Sequence, residues 1–384
     1  MVEVPHGARP LVRHLYVHVP FCARRCAYCD FSIAVRREVP WRHFADGVVA
    51  EARLRGMPSS ERLQTVYLGG GTPSQLGADG VAALLDGLLT VAPWAASAEV
   101  TLEANPEDVT AEAVTRWMAA GVTRLSLGVQ SFQDPVLRWM HRVHDAETAR
   151  RAVRVAKDVG LTAISLDLIF AVPDAVPRDW AYDLETALAC EPEHLSLYGL
   201  TIEPHTPLAR WTDRGAVQEA PEERYAREFL MAHERVTAAG FVHYEVSNFA
   251  RPGAASRHNS SYWGGVPYLG LGPSAHGFDG AIRRWNVAPY AAWLRSVTAG
   301  ADPVEGAEEL TEANRRAEAV YLGLRTGAGL TLAADELTHV QPWVEAGWGR
   351  VIGDGAHRRF ICTADGWLRL DALAADLTAF RDDS

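Results

Sequence analysis

Cys22, Cys26 and Cys29 lie in a CxxxCxxC run directly after the apolar stretch 15–19. A [4Fe–4S] cluster normally takes four cysteine thiolates, one per iron. Three thiolates in one tight loop leave one iron without a protein ligand, and an open metal position is where a small molecule can bind and react. Zinc is a second reading, since it would need a fourth Cys or His, and His14 and His18 are near in sequence. A disulfide suits the run less well, because five cysteines are an odd count and these spacings favour a metal. Cys190 follows a helical pattern and Cys362 sits in an apolar run. Such cysteines are commonly inert, buried small side chains.

Further polar residues follow other apolar stretches. Gly69-Gly70-Gly71-Thr72-Pro73 is either a plain turn or a cradle whose exposed backbone amides meet an amino or carboxylate group. Glu103, Gln130 and Asp167 each stand at or near the end of an apolar run, and Arg142 follows at a spacing that returns it to the same place. Singly, each could fix a loop; in register, they suggest a shared polar ligand. A buried carboxylate without partners is costly, so Glu103 and Asp167 are expected to have them. Glu107 and Asp108 are expected to start the following helix.

The elements that must position these residues alternate. Strand-like runs cover 15–19, 65–68, 99–103, 124–129, 163–168 and 194–200, with helical patterns at 41–55, 81–91, 111–120, 146–159 and 180–189. Gly121 and Gly160 follow helices, as left-handed C-terminal stops do. Strand and helix alternating at this pitch predict an α/β fold, a partial (β/α)6 barrel. Chemistry in that architecture gathers at the carboxyl ends of the strands, where the cysteine loop begins. After residue 200 the alternation breaks into a long helix (222–239), a strand (241–246) and a Gly-, Tyr- and Trp-rich region (257–278). A small α+β, winged-helix-like unit is expected last, with a helix at 311–324 and a hairpin at 350–369. The predicted organisation is a core domain over 1–230, a barrel extension over 231–304 and a C-terminal domain over 305–384.

Composition excludes several classes. The net charge of −11 argues against a generic phosphate-backbone binder. Residues 301–384 carry 15 Asp and Glu against 8 Arg, so a DNA-reading role for the last unit is not expected. Lys157 is the only lysine and falls on a helix expected to be exposed, which leaves little for Schiff-base chemistry. No run is long and apolar enough to span a bilayer, and residues 1–10 lack a signal-peptide pattern. With thiols held for a metal, this predicts a cytoplasmic protein.

The run Tyr16-Val-His-Val-Pro-Phe-Cys22-Ala-Arg-Arg-Cys26-Ala-Tyr28-Cys29-Asp-Phe31 resembles the radical S-adenosylmethionine (SAM) enzymes. Within them it is similar to the group of anaerobic coproporphyrinogen III dehydrogenases and HemW-type haem chaperones. Gly-Gly-Gly-Thr-Pro, Glu-Ala-Asn-Pro, Leu-Gly-Val-Gln-Ser-Phe, Leu-Asp-Leu-Ile, Leu-Tyr-Gly-Leu-Thr-Ile-Glu-Pro and Tyr-Glu-Val-Ser-Asn-Phe-Ala match in order, and the resemblance covers nearly the whole chain. The dehydrogenases carry a further cysteine where Phe31 stands, and a longer segment before the first strand. Both differences resemble the haem-chaperone branch, as does His258-Asn259-Ser-Ser-Tyr262-Trp263, which matches its HNxxYW motif.

The resemblance implies a cluster held by Cys22, Cys26 and Cys29, and SAM contacts at Tyr16, Tyr28, Gly71, Thr72, Glu103, Gln130, Arg142 and Asp167. It implies haem contact by His258, Asn259, Tyr262 and Trp263, with Arg251 or Arg257 available to propionates. From the residues alone, the favoured reading of the motif is a loop whose Tyr and Trp pack on the barrel and whose His bonds a carbonyl. After Asp167 the chain reads Phe-Ala-Val-Pro-Asp where relatives often have Gly-Leu-Pro-Gly, so no ligand contact is expected there. The implied function is a haem chaperone passing haem to an acceptor, with a respiratory haem protein the expected class. Peripheral contact with membrane proteins and a dimer are both compatible with this, and no nucleic-acid partner is implied. The alternatives are an oxygen-independent coproporphyrinogen III oxidase and a radical SAM haem methyltransferase.

Overall fold

Leu15, Val17 and Val19, then Val66 and Leu68, recur at every second position and are fully buried. Intervening positions of the same strands face a second, more polar interior, so neither side of the sheet is left to water. The computed structural model describes residues 12–57 and 62–383. The 1–10 segment inspected for a targeting signal lies outside them. Six parallel strands are neighbours in chain order: β1 (His14–Val19), β2 (Leu63–Gly70), β3 (Trp94–Ala104), β4 (Arg124–Gln130), β5 (Ala163–Phe170) and β6 (His194–Gly199).

The intervening helices are α1 (Trp41–Leu54), α2 (Gly77–Leu89), α3 (Ala111–Ala119), the short α4 (Asp134–Trp139), α5 (Ala146–Asp158) and α6 (Trp180–Ala189). Side chains of Thr110, Asp145 and Asp179 accept backbone N–H bonds at the starts of α3, α5 and α6, which satisfies otherwise orphaned donors. Gly121 and Gly160 follow α3 and α5 with φ of 105° and 99°, the left-handed stop expected of them.

The sheet extends beyond the six expected strands. An antiparallel hairpin, Val242–Glu245 and Asn248–Ala250, joins at β6, and Leu269–Leu271 pairs parallel with β1. The result is a nine-stranded arc whose two edge strands are not paired with each other. Leu269–Leu271 was hidden in the glycine-rich region. A Cβ on Gly270 would lie 1.9 Å from the His276 carbonyl oxygen, so close packing rather than a loop requires that glycine.

The last unit follows the α+β expectation. Helices Glu312–Arg325, Glu336–Glu345 and Leu370–Asp383 surround a three-stranded sheet ordered Leu330–Thr331, Arg359–Cys362, Gly349–Ile352. The expected hairpin at 350–369 ends earlier, at Cys362, because the Thr363 side chain accepts the Gly366 N–H and starts a helix at Ala364. One hydrophobic cluster runs from Val17 and Leu68 in the sheet to Val320, Trp367 and Leu377 in this unit.

Candidate functional site

Past β1 the chain makes a two-residue strand, Phe21–Cys22, paired with Ala34–Val35. The intervening loop lies at the carboxyl ends of the strands and is tied down from several sides. Gly71 N–H donates to the Val19 carbonyl at 2.8 Å and Thr72 N–H to that of Phe21 at 2.8 Å. Ala27 N–H reaches the Met140 carbonyl at 3.2 Å, and Leu208 N–H reaches that of Ala27 at 2.9 Å.

Cys22 is buried, while Cys26 and Cys29 are half-buried. Cys22 Sγ lies 3.4 Å from Thr72 Oγ1, and Arg142 Nη1 donates to Cys26 Sγ at 3.3 Å. Burial raises the Cys22 thiol and pushes Cys29 up to about 11. Metal loading must therefore release protons from thiols that are neutral beforehand. Among the described residues no three His, Cys, Asp or Glu side chains converge as ligands of a single ion do. His14 Nδ1 is engaged with Thr65 Oγ1 at 3.0 Å, and His18 Nε2 donates to the Ser32 carbonyl at 3.0 Å. His18 also has Nδ1 3.3 Å from Tyr16 Oη, so both its nitrogens are engaged, and neither histidine considered for zinc converges with the cysteines as a ligand set. The donor chemistry, three thiols in one loop with a guanidinium beside them, fits a cluster that takes one thiolate per iron.

Arg142 joins this loop to the barrel. Its Nη2 donates to Asn105 Oδ1 at 2.5 Å and to the Gly128 carbonyl at 2.8 Å. Its buried Nε has no partner among the described residues, a donor left for a ligand. A Cβ on Gly128 would lie 2.9 Å from Gln130 Nε2 and 3.3 Å from Arg142 Nη2, so a glycine keeps these two side chains together. Gln130 takes φ 67° at a register shift between β4 and β5, an irregularity that re-aims a side chain at the mouth. Tyr28 sits within hydrogen-bond reach of Cys26, and burial raises its phenol.

The two interior carboxylates have the partners expected of them. Glu103 Oε1 accepts from Tyr67 Oη at 2.7 Å and Oε2 from Gly70 N–H at 3.1 Å. Asp167 accepts from Ser126 Oγ at 3.0 and 3.1 Å. These bonds only partly offset burial, which pushes Glu103 up to about 7 and Asp167 to about 6. Tyr16 stacks on Tyr67 with ring centroids 6.0 Å apart. A cavity of about 40 Å³ among Tyr67, Glu103, Ser126, Asp167 and Asn259 brings these groups together.

Two expectations need correction. The amides of Gly70, Gly71 and Thr72 are spent on Glu103, Val19 and Phe21, so the glycine run offers a ligand carbonyl oxygens and room, not free donors. A Cβ on Gly71 would lie 2.9 Å from the Phe21 carbonyl oxygen, which is why glycine stands there. Glu107 and Asp108 do not start a helix; they lie in the 3-10 turn Pro106–Asp108. Glu107 Oε2 bonds His144 Nδ1 at 3.2 Å and Asp108 accepts from Ser74 Oγ at 2.6 Å.

The His258–Trp263 motif forms the short helix Arg257–Trp263, capped by Ser256. Its members go to different places. His258 is fully buried, with Nδ1 2.7 Å from Thr65 Oγ1 and Nε2 2.8 Å from Tyr262 Oη. Both ring nitrogens are therefore engaged, and an axial bond from His258 to haem does not fit this geometry. Asn259 borders the small interior cavity. Tyr262 borders a different pocket, with Tyr16, Phe31 and His276. Trp263 turns to the C-terminal unit, under the Arg325 guanidinium at 4.3 Å. Arg251 is stacked on Phe241 at 4.2 Å and Arg257 Nη1 donates to the Ser97 carbonyl at 2.7 Å.

Tyr67, Asn105, Ser126 and Ser165 escaped sequence reasoning. Their signal was available: Thr65, Thr101, Ser126, Ser165 and Ser196 are small polar residues in otherwise apolar parallel strands and are all buried.

Residues 16–187 match the model of the Radical SAM superfamily. The chain is 37% identical over 390 residues to the Heme chaperone HemW of Mycobacterium tuberculosis (strain ATCC 25618 / H37Rv), covering 98% of each. It is 39% identical over 297 residues to the Heme chaperone HemW of Escherichia coli (strain K12), covering 74% of each. The Radical S-adenosyl methionine domain-containing protein 1, mitochondrial, of Bos taurus is 35% identical over 326 residues, 83% of this chain and 74% of the relative. In fold the chain matches coproporphyrinogen III oxidase (HemN) of Escherichia coli, with a TM-score of 0.79 at 22% identity over 97% of this chain and 91% of the other. That likeness bears on the fold alone, but the sequence relatives carry more: the chain belongs to the HemW family of radical SAM proteins.

Proposed function

We propose that this protein is a cytoplasmic haem chaperone, which binds haem and a SAM-ligated [4Fe–4S] cluster and passes the haem to an acceptor protein. The observation that carries the reading is the Cys22, Cys26 and Cys29 loop seated against Thr72 and Arg142, in a chain similar to haem chaperones along its whole length. Phe31 supports this branch over the oxidase. Where the resemblance places a further cysteine in the dehydrogenases, this chain has an exposed aromatic ring.

The three cysteines would hold the cluster. Tyr16, Tyr28, Gly71, Thr72, Glu103, Gln130, Arg142 and Asp167 would surround SAM. When bound, the cluster supplies a single electron to SAM, chemistry that belongs to the cofactors and not to the polypeptide. The chain's own residues position and polarise. Arg142 places a guanidinium donor beside Cys26 Sγ and would orient it toward the cluster. Glu103 and Asp167, with pKa values pushed to about 7 and about 6, can accept or share a proton with ligand hydroxyls near neutral pH.

Among the described residues no helix is long and apolar enough to cross a membrane. A respiratory acceptor in a membrane would then be met peripherally. The test is anaerobic reconstitution with iron and sulfide, followed by haem titration with and without SAM. Saturable haem binding, with haem of unchanged mass recoverable on a haem-free acceptor, supports the reading. Protoporphyrinogen formed from coproporphyrinogen III and SAM would replace it with the oxidase, and a methylated haem would replace it with the methyltransferase.

A further inference from the structure

Trp263, the last residue of the motif, opens on a groove of about 650 Å³ between the sheet edge and the C-terminal unit. His233, His243, Tyr244, Arg350 and Trp367 share its lining. Its size lies within the roughly 300–1,000 Å³ of small-molecule and cofactor sites.

The hydrogen bonds around His233 fix its tautomer. His243 Nε2 lies 3.1 Å from the Val246 carbonyl oxygen, which can only accept, so that nitrogen carries a proton. His243 is buried, and among the described residues it pairs with no carboxylate, so Nδ1 is the nitrogen left with a lone pair. His233 Nδ1 lies 2.9 Å from that Nδ1 and must be the donor. The remaining nitrogen of His233, Nε2, then carries a lone pair, and it has no hydrogen-bond partner among the described residues. A half-buried imidazole, oriented through one nitrogen and open at the other, is how proteins present a metal ligand.

The rest of the groove suits one kind of occupant. Trp263 offers half-buried aromatic surface, Trp367 closes the floor from the core, and Arg350 offers an exposed cation that can pair with carboxylates. Cys362 also lines the groove but is itself buried. A flat apolar ring with a central metal and peripheral carboxylates fits these groups: an iron porphyrin. We propose that haem binds in this groove with His233 Nε2 as its iron ligand, and not at His258. The proposal rests on the haem-chaperone reading.

The experiment is a ferric haem titration of the reconstituted full chain, followed by Soret absorbance and electron paramagnetic resonance. His233→Ala should weaken haem binding at least about tenfold and lose the imidazole-ligated signature, and added imidazole should restore it. His243→Phe keeps an aromatic ring on Phe249, 3.8 Å between centroids, but removes the acceptor that orients His233. It should weaken binding by roughly 10–100-fold, as loss of an outer-shell partner does. Unchanged affinity and spectrum in His233→Ala would overturn the site, and so would a lost signature that imidazole does not restore. A signature lost in His258→Asn but kept in His233→Ala would move the ligand back to the motif and equally overturn it. Failure of the unaltered chain to bind haem at all would sink the chaperone reading itself.

Discussion

Arg142 bonds Cys26 Sγ, Asn105 Oδ1 and the Gly128 carbonyl at once. Arg142→Met keeps the stem and removes every donor, leaving Asn105 Oδ1 without its partner at about 1–3 kcal/mol. Iron and sulfide retained per chain should fall, and chelators should strip the cluster faster; iron content equal to the unaltered chain would remove Arg142 from the site. Glu103 makes a pH prediction. Its folded value of about 7 exceeds its ordinary 4.5, so between these values the native state binds a proton more tightly than the unfolded chain does. Stability then falls as pH rises through that window, by about 3 kcal/mol in all. Asp167, raised from 3.8 to about 6, adds a term of the same sign at lower pH. Urea unfolding of the cluster-free chain should show lower stability at pH 8 than at pH 5, and Glu103→Gln should narrow the gap. At this scale the cysteines were legible because metal-ligand spacing is local. The burial of His258 was not, because Thr65, 193 residues away, takes one ring nitrogen.

Gly71 joins the end of β2 to the cysteine loop. Gly71→Ala would press a methyl group to 2.9 Å from the Phe21 carbonyl oxygen. Overpacking of this kind costs about 1–3 kcal/mol, and here the strain falls on the strand that carries Cys22. Cluster yield should drop further than the thermal midpoint suggests, measured as iron per folded chain. Helix α1 has a buried anchor of its own. Glu51 bonds Arg55 and Asn286 through Oε1, at 2.7 Å each, and Gly272 N–H and Trp293 Nε1 through Oε2, at 2.8 Å each. Removing one member of a buried ion pair costs about 3–5 kcal/mol, so Glu51→Ala should lower the melting temperature sharply in calorimetry while sparing the cysteine loop. The 41–55 helix was readable from its apolar spacing. Glu51 as an anchor was not, because three of its partners, Gly272, Asn286 and Trp293, lie more than 200 positions away.

Across the molecule, the hydrophobic cluster that includes Val17 and Leu68 also includes Val320, Trp367 and Leu377. Trp367 Nε1 donates to the Leu324 carbonyl at 3.0 Å, and its ring meets His243 at 4.4 Å between centroids. Thermal unfolding should therefore be a single cooperative transition, and two separated calorimetric peaks would contradict a shared core. The alternation of strand and helix made the parallel sheet legible up to β6. The two edge additions were less so: Leu269–Leu271 is three residues long and built around a glycine. Those additions leave Leu269–Leu271 and Val242–Glu245 as the two outermost strands of the sheet, not paired with each other. A hooped cask has one girth, set by the count and slant of its staves. This one is a split ring, and the chain between its rims carries the Arg257–Trp263 helix, with His258 pressed against Thr65 and Tyr67 inside. Closure across the split thus rests on that intervening chain and its side chains, and no backbone ladder joins one rim to the other.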